Sequence, residues 1–300
     1  MGSPLTTIAL PVALGIIMFG LGLSLTLGDF ARIGKHPKAV IIALVCQLLV
    51  LPAICFGLVL AFQLPPLLAV GMMLLAASPG GTTANLYSHL FRGDIALNIS
   101  LTAVNSVISV FTLPLIVNFA IGYFQPVTTG QPGEGGAIGI DFVEALKVFA
   151  IVLIPVALGM IVRRFRPGFA NASDRPVRIA SIIILAIVII GAVVANAKAL
   201  LDNLAALAGI TVLFCLISLT LGFLIPRLFK VERRQAVASS FEIGIHNATL
   251  AIVIAQSVLD SFEMSLPAAV YGVLMFFVAA AFGFIIRDRK PVEALVEDRV

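Results

Sequence analysis

Nine long runs of apolar residues, separated by shorter polar connections, follow one another along the chain. They occupy residues 5–27, 38–62, 66–91, 94–124, 143–164, 177–197, 204–229, 232–259 and 266–287. A helix needs about 20 apolar residues to cross a membrane, and each run is of that length or longer. The longest connection, residues 125–142, contains TTGQPGEGG, which is typical of a surface loop. The pattern predicts an all-α polytopic membrane protein with nine transmembrane helices.

The composition supports lipid as the surroundings of this chain. Hydrophobic residues make up 60% of the sequence and charged residues 11%, whereas about a quarter of the residues of a soluble domain are charged. Cys46, Cys55 and Cys215 lie inside apolar runs, and their spacing indicates neither a disulfide framework nor a metal site. We therefore expect the lipid bilayer as a partner, no nucleic acid, and no obligatory protein partner.

The basic residues predict an orientation. All of the 19 lysines and arginines except Lys147 and Lys198 fall in one alternating set of connections or in the C-terminal segment. Because basic residues accumulate in cytoplasmic loops, this set is expected inside, with the N-terminus outside and the C-terminus in the cytoplasm. That arrangement needs an odd number of helices, which nine satisfies.

Two of the predicted helices contain residues that interrupt a helix. The third run contains SPGGTTAN (residues 78–85), in which Pro79 lacks a backbone donor and Gly80 and Gly81 are poor helix formers. The eighth run is interrupted near Glu242–Asn247. The two helices run in opposite directions and hold matching places in two halves, which predicts the inverted-topology repeat of many secondary transporters. The alternative is that proline and glycine only kink two ordinary helices.

The repeat divides the chain into four parts. Residues 1–124 form the first half, with helices one to four and one helix fewer than the second. Residues 125–142 form an external loop, residues 143–287 form the second half with helices five to nine, and residues 288–300 form a cytoplasmic tail. At each interruption a half-helix begins with free N–H groups, which suit an anion, and another ends with free carbonyl groups, which suit a cation.

Glu242 is the one acidic residue, of 15, that lies deep inside an apolar run. It follows Arg233 and Arg234 by eight or nine residues, which is about 13 Å along a helix and close to the middle of a ~30 Å hydrocarbon core. An unpaired ionised acid at that depth costs several kcal/mol, and no lysine or arginine lies at a comparable depth. Either Glu242 is protonated or a bound cation neutralises it.

The other polar residues at this depth favour a cation. Asn98 and Thr102 are four residues apart and so share one helix face, Asn85 lies at the first interruption, and Gln47 lies within the second run. Amide and hydroxyl oxygens with a single carboxylate suit a monovalent cation such as Na⁺, because calcium sites gather more carboxylates. Asn98, Thr102 and Gln47 are open to a second interpretation, as hydrogen-bonding residues between helices. His246 is equally open to being a core histidine, a ligand or a proton carrier.

Three segments resemble the bile acid:sodium symporter family. They are LGIIMFGLGLSLTLGDF (14–30), SPGGTTANLYSHLFRGDIALNISLTAVNS (78–106) and FEIGIHNATLAI (241–252). The resemblance covers nearly the whole chain and implies a bacterial member. It implies a core domain, in which the two broken helices cross, beside a panel domain, with relative movement of the two domains giving alternating access.

The resemblance also implies sites, by position. The first sodium site would be formed by Asn85, Asn98, Thr102 and Glu242, and the second by Gln47, Glu242, His246 and the carbonyl groups of Ile243 and Ile245. The organic anion would meet Thr82, Thr83, Asn85 and Asn247. Ala84 stands where the family usually has serine, and His246 where it usually has glutamine. One Na⁺ per cycle, or a proton in place of a second Na⁺, is therefore open.

The function expected is Na⁺-coupled symport of an organic anion into a bacterium across the inner membrane. The anion is a bile acid or a small carboxylate such as pantoate or a keto acid, sodium is the coupling ion, and no organic cofactor is expected. The alternative is a proton-coupled transporter or exporter of the same fold that uses Glu242 and His246. An enzyme is not expected, since the sequence has no G-x-S-x-G motif and no aspartyl pair.

Overall fold

The computed structural model describes residues 10–24, 26, 28, 32–81, 83–126, 142–195 and 197–287. Within these ranges the chain forms helices and no strand. The helices are α1 (Leu10–Ser24), α2 (Pro37–Val45), α3 (Leu51–Ala61), α4 (Pro66–Ala77), α5 (Thr83–Leu90), α6 (Ile95–Phe124), α7 (Phe142–Phe165), α8 (Pro167–Ala195), α9 (Ala197–Leu228), α10 (Arg233–Gly244), α11 (Ala248–Ser257) and α12 (Leu266–Ile286). A π-helical turn, Cys46–Val50, joins α2 to α3, and 3₁₀ turns lie at Arg32–Lys35 and Glu263–Ser265.

The helices follow the apolar runs of the sequence. Among the described residues, three helical segments are long and apolar enough to cross a membrane: Pro37–Ala61, Leu204–Leu228 and Glu263–Ile286. Large apolar side chains such as Leu115 and Phe277, each 70% exposed, lie on the outer surface, as expected for contact with lipid. The chain is thus a helical membrane protein, and the total of nine spans stays a prediction.

Helix α6 is a fourth candidate span that bends in the middle. Its two parts, Ile95–Ser109 and Phe111–Phe124, meet at an angle of 54°. Pro114 lies four residues after the bend at residue 110. Because the proline ring excludes the carbonyl group four residues earlier and offers no N–H to it, the bend has a local cause.

The helices pack in two groups. Helix α1 packs mainly against α7 and α8, whereas α2–α6 and α9–α12 pack mainly against one another. Helices α1 and α7 approach closely through glycine: a Cβ atom on Gly22 would overlap the Val156 carbonyl, and one on Gly159 would overlap the Phe19 carbonyl. Small residues of this kind allow close backbone contact between membrane helices.

The two interruptions meet and pair with each other. Helix α4 ends at Ala77 and α5 begins at Thr83, while α10 ends at Gly244 and α11 begins at Ala248. Between these ends, the Gly81 N–H donates to the Ile245 carbonyl (2.6 Å) and the Asn247 N–H donates to the Pro79 carbonyl (2.8 Å). Buried backbone groups need partners, above all in lipid. Each break therefore supplies partners for the other, and we call this pairing the crossing.

Candidate functional site

The Glu242 carboxylate lies directly beside the crossing. Glu242 is in the last turn of α10 and is 2% exposed. Its Oε2 accepts a hydrogen bond of 2.5 Å from the Thr102 hydroxyl, and its Oε1 has no hydrogen-bond partner. A Cβ atom on Gly80 would overlap Oε1, so the free oxygen touches the backbone of the first break. No lysine or arginine is among the buried side chains of the described residues, and this carboxylate has no protein counter-charge there.

One face of α6 supplies the polar neighbours of Glu242. Asn98, Thr102 and Asn105 are spaced by four and three residues and so lie on one face, and all three are buried. The Asn98 amide donates to the Ser88 hydroxyl and to the Ala238 carbonyl, both at 2.8 Å. Because Asn98 meets residue 238 and Thr102 meets residue 242, α6 and α10 run in the same direction here.

Asn98 and Thr102 use their donors in hydrogen bonds within the protein, whereas several nearby oxygens have no partner. Buried oxygens without a partner are Oε1 of Glu242 and Oδ1 of Asn85, Asn98 and Asn105. Asn105 lies beside the Glu242 carboxylate, and α5, which carries Asn85, packs against both α6 and α10. We call these four residues with Thr102 the oxygen cluster. A buried acceptor without a partner is costly, and three neutral oxygens with one carboxylate fit a sodium ion.

The second predicted sodium site has a different chemistry. Gln47 lies in the π-helical turn, a feature often found at functional sites, and donates to the Ser78 carbonyl at 3.1 Å. The Nδ1 of His246 lies 3.1 Å from the same carbonyl. Nδ1 also lies 3.4 Å from the Gln47 amide nitrogen. We assign the proton to Nδ1 because the Ser78 carbonyl is the nearer of the two and only accepts, which leaves the lone pair on Nε2. The atoms left without partners are Oε1 of Gln47 and Nε2 of His246.

Aromatic rings enclose His246. Its ring stacks on Phe214, with centroids 5.4 Å apart, and meets Tyr271 edge-on at 5.5 Å. The Tyr271 hydroxyl donates to the Gly244 carbonyl at the end of α10 (2.9 Å), and the Ile245 carbonyl accepts from Gly81. This surrounding, which we call the imidazole cluster, offers one free amide oxygen and one ring nitrogen. That is a poor match to sodium, which needs a shell of oxygens.

The residues predicted to contact the anion lie at the starts of α5 and α11. Thr82 is outside the described residues. Thr83 is the first residue of α5, and Thr83, Asn85 and Asn247 are half-buried. The Asn247 side chain accepts from the Leu250 N–H at 3.1 Å and so caps α11. The N–H groups of Asn247 and Ala248 also have protein acceptors, which leaves this helix end fewer free donors than an unpaired helix start would have.

Sequence reasoning missed several residues that the structure brings to these clusters. Asn105 shares the face of Asn98 and Thr102, and its spacing of seven from Asn98 was the signal that could have found it. Ser78, Phe214 and Tyr271 surround His246. No sequence pattern links them to position 246, since they come from other parts of the chain.

The structure so far is that of a helical membrane protein with buried polar clusters at a helix break, an arrangement found in transporters. Comparison with known proteins gives the family. The chain belongs to the Sodium Bile acid symporter family, whose sequence profile matches residues 11–203. It is a family of transporters and not of enzymes. The family resemblance inferred from the sequence is thereby confirmed.

Individual relatives come from bacteria, plants and animals. The chain is 28% identical over 262 residues to the uncharacterized sodium-dependent transporter YocS of Bacillus subtilis (strain 168), which covers 87% of this chain and 78% of that protein. It is 25% identical over 281 residues to the probable sodium/metabolite cotransporter BASS2, chloroplastic, of Oryza sativa subsp. japonica, covering 93% and 64%. It is 24% identical over 286 residues to the ileal sodium/bile acid cotransporter of Homo sapiens, covering 94% and 79%.

Proposed function

We propose that this protein is a sodium-coupled symporter that imports an organic anion across a bacterial inner membrane. The observation that carries the proposal is the oxygen cluster. It has a buried carboxylate that meets no counter-charge among the described residues, and three buried amide oxygens without partners on the two helices, α5 and α6, that pack against the helix of Glu242. The sodium dependence named for the relatives supports the same conclusion. Sodium is transported together with the anion in this scheme. It is bound by the first predicted set of residues, which are Asn85, Asn98, Thr102 and Glu242.

Electrostatics gives the coupling a physical basis. An uncompensated Glu242 carboxylate beside the crossing repels an organic anion that approaches Thr83, Asn85 or Asn247, because buried charges are poorly screened. A cation in the oxygen cluster removes that repulsion. Asn85 belongs to both sets of residues, so its amide links the cation and the anion. Anion binding therefore depends on prior cation binding.

The same proposal includes the arrangement in the membrane. Nine spans form an inverted repeat with the N-terminus outside and the C-terminus in the cytoplasm. The core domain consists of α2–α6 and α9–α12 and the panel domain of α1, α7 and α8, a division supported by the two packing groups. Movement of one domain against the other exposes the crossing alternately to the two sides, as in other repeat transporters.

Only the first sodium site is part of the proposed cycle. The imidazole cluster offers Gln47 Oε1 as its one unpartnered oxygen, and the Ile245 carbonyl already accepts from Gly81. Ile243 and Ile245 are both fully buried, as is His246. We propose one Na⁺ per anion, with the second predicted set acting to hold the crossing together.

The test is uptake into proteoliposomes that contain the purified full-length protein. Radiolabelled taurocholate, pantoate and pyruvate are offered under an inward Na⁺ gradient, an inward K⁺ gradient of the same ionic strength, or a pH gradient without sodium. We expect accumulation of at least one probe under the Na⁺ gradient alone, with a Hill slope for Na⁺ near one. Equal uptake under Na⁺ and K⁺ would contradict sodium coupling.

A proton-coupled carrier is the second candidate. Glu242 and His246 are both buried, Glu242 in the last turn of α10 and His246 in the break between α10 and α11. Buried titratable side chains of this kind serve as proton carriers in proton-driven transporters. Uptake or export that follows the pH gradient and ignores sodium in the same vesicles would favour this candidate.

A further inference from the structure

Helix α6 carries a third polar side chain toward Glu242. Asn105 lies one turn beyond Thr102 and is 2% exposed. Its side chain lies beside the Glu242 carboxylate, and its Oδ1 is buried without a partner. Asn98, one turn before Thr102, likewise has a free Oδ1, while its own N–H groups donate to Ser88 and Ala238.

Other polar side chains of α6 show what a purely structural role looks like. The Ser100 hydroxyl donates to the Ala96 carbonyl (2.9 Å), and the Ser109 hydroxyl donates to the Ser106 carbonyl (2.9 Å), both within the same helix. These side chains satisfy themselves locally. Asn105 does not, since its Oδ1 has no partner. A buried carbonyl oxygen without a partner makes an asparagine less favourable there than an apolar residue of the same size.

We propose that Asn105 is a further sodium-binding residue, whose amide orients the Glu242 carboxylate and whose Oδ1 joins the oxygen shell of the ion. The proposal rests on the proposed function, since it adds a ligand to the same site. It explains why the site keeps enough oxygens although position 84 is an alanine without a polar atom. A neutral oxygen raises the number of ligands without raising the charge, which favours a monovalent over a divalent cation.

The test is thermal unfolding of the purified full-length protein in a NaCl series, with KCl making up a constant ionic strength. A ligand that binds only the folded state raises its unfolding temperature with concentration. For Asn105→Leu we expect a melting temperature in KCl equal to or above that of the wild type. The NaCl concentration that gives half of the stabilisation should rise tenfold or more. Ser100→Ala, on the same helix but outside the cluster, should keep the wild-type NaCl response.

A second variant tests the charge argument. Asn105→Asp has almost the same shape but brings a second carboxylate to the site, so we expect stabilisation by CaCl₂ at concentrations that do nothing to the wild type. Asn105→Ala replaces the leucine variant if that one does not fold.

Three contrary outcomes can be told apart. A wild-type NaCl response in Asn105→Leu would overturn the role of Asn105 alone. A wild type that does not distinguish NaCl from KCl would overturn the sodium site and this proposal with it. Equal loss of melting temperature in both salts would make Asn105 a packing residue.

Discussion

The oxygen cluster and the imidazole cluster both lie at the crossing, yet they differ in the polar atoms that the protein leaves without hydrogen-bond partners. In the oxygen cluster, the Thr102 hydroxyl and the Asn98 amide are used in protein hydrogen bonds, and four oxygens are left. In the imidazole cluster, two donors converge on the Ser78 carbonyl, and one amide oxygen and one ring nitrogen are left. Polar residues near a helix break can thus leave very different sets of atoms for a ligand. Whether such a cluster suits a cation depends on which polar atoms the protein leaves without hydrogen-bond partners.

The difference also separates two tasks. The imidazole cluster joins the second break and the π-helical turn to the Ser78 carbonyl at the first break, and the rings of Phe214 and Tyr271 enclose His246. These contacts stabilise the crossing. The oxygen cluster contains a carboxylate that meets no counter-charge among the described residues, and in the proposed function a cation completes it. Four substitutions can break or sharpen this contrast.

The largest effect is expected from Glu242→Gln. Loss of the carboxylate removes the attraction for a cation, so sodium-driven uptake should fall at least 100-fold and the NaCl-dependent rise in melting temperature should vanish. The measurement combines proteoliposome uptake with thermal unfolding in NaCl and KCl. Glu263→Gln, in the 3₁₀ turn before α12, makes the same chemical change outside both clusters and should retain both properties. A Glu242→Gln protein that still responds to Na⁺ would show that the ion binds elsewhere.

Gly80→Ala comes next. Its Cβ atom would overlap the Glu242 carboxylate, and overpacking of this kind costs about 1–3 kcal/mol. We expect a lower melting temperature in KCl together with a loss of most of the NaCl response. Gly57→Ala is the matched control, because a Cβ atom there meets nothing within 4 Å, and it should be neutral or slightly stabilising. Equal behaviour of the two variants would place Glu242 away from the first break.

Thr102→Val should have a moderate effect. The substitution keeps the shape and removes the hydrogen bond to Glu242, and a bond to a charged group contributes about 1.5–3 kcal/mol. We expect the half-stabilising NaCl concentration to rise by at least about tenfold, since the lower end of that range already exceeds the 1.4 kcal/mol that corresponds to a factor of ten. Thr112→Val, whose hydroxyl bonds only to its own helix, should leave that concentration unchanged. An unaltered response in Thr102→Val would remove Thr102 from the site.

His246→Gln is expected to have the smallest effect on uptake, and it tests the difference between the two clusters directly. An amide in place of the imidazole adds an oxygen next to Gln47 Oε1. The Hill slope for Na⁺ should therefore increase from near one toward two, while uptake at saturating Na⁺ changes less than threefold. Sodium-dependent uptake curves measure both quantities, and Glu242→Gln in the same background should abolish them. A slope of two in the wild type would show that the imidazole cluster already takes part in sodium binding.

Much of the helical framework could be predicted from the sequence. Each apolar run coincides with a helix or with a pair of helices around a break, and Pro79, Gly80 and Gly81 correctly indicated the first break. The beginning of α8 at Pro167, ten residues before the predicted run, was missed because the segment PGFANASDRPVR is polar. Hydropathy detects the apolar part of a helix and not its polar extension.

The site could be predicted only in part. The depth of Glu242 and the spacing of Asn98 and Thr102 follow from periodicity along single helices. The donor–acceptor pairing does not, because it depends on contacts between helices distant in sequence, such as Asn98 with Ala238. The same limit applies to the two backbone hydrogen bonds of the crossing and to the enclosure of His246 by Phe214 and Tyr271.

The crossing has a consequence for how the protein is made. Pro79 and Gly81 obtain their backbone partners from residues 247 and 245, which leave the ribosome on the order of ten to thirty seconds later at about 5–20 residues per second. Until then the first half holds a break whose polar backbone cannot be left facing lipid. The insertion machinery must shelter that half until α10 and α11 arrive. A chain that stops before residue 245 should be recognised as unfinished and degraded, and two separately synthesised halves should assemble only when they meet in the same membrane.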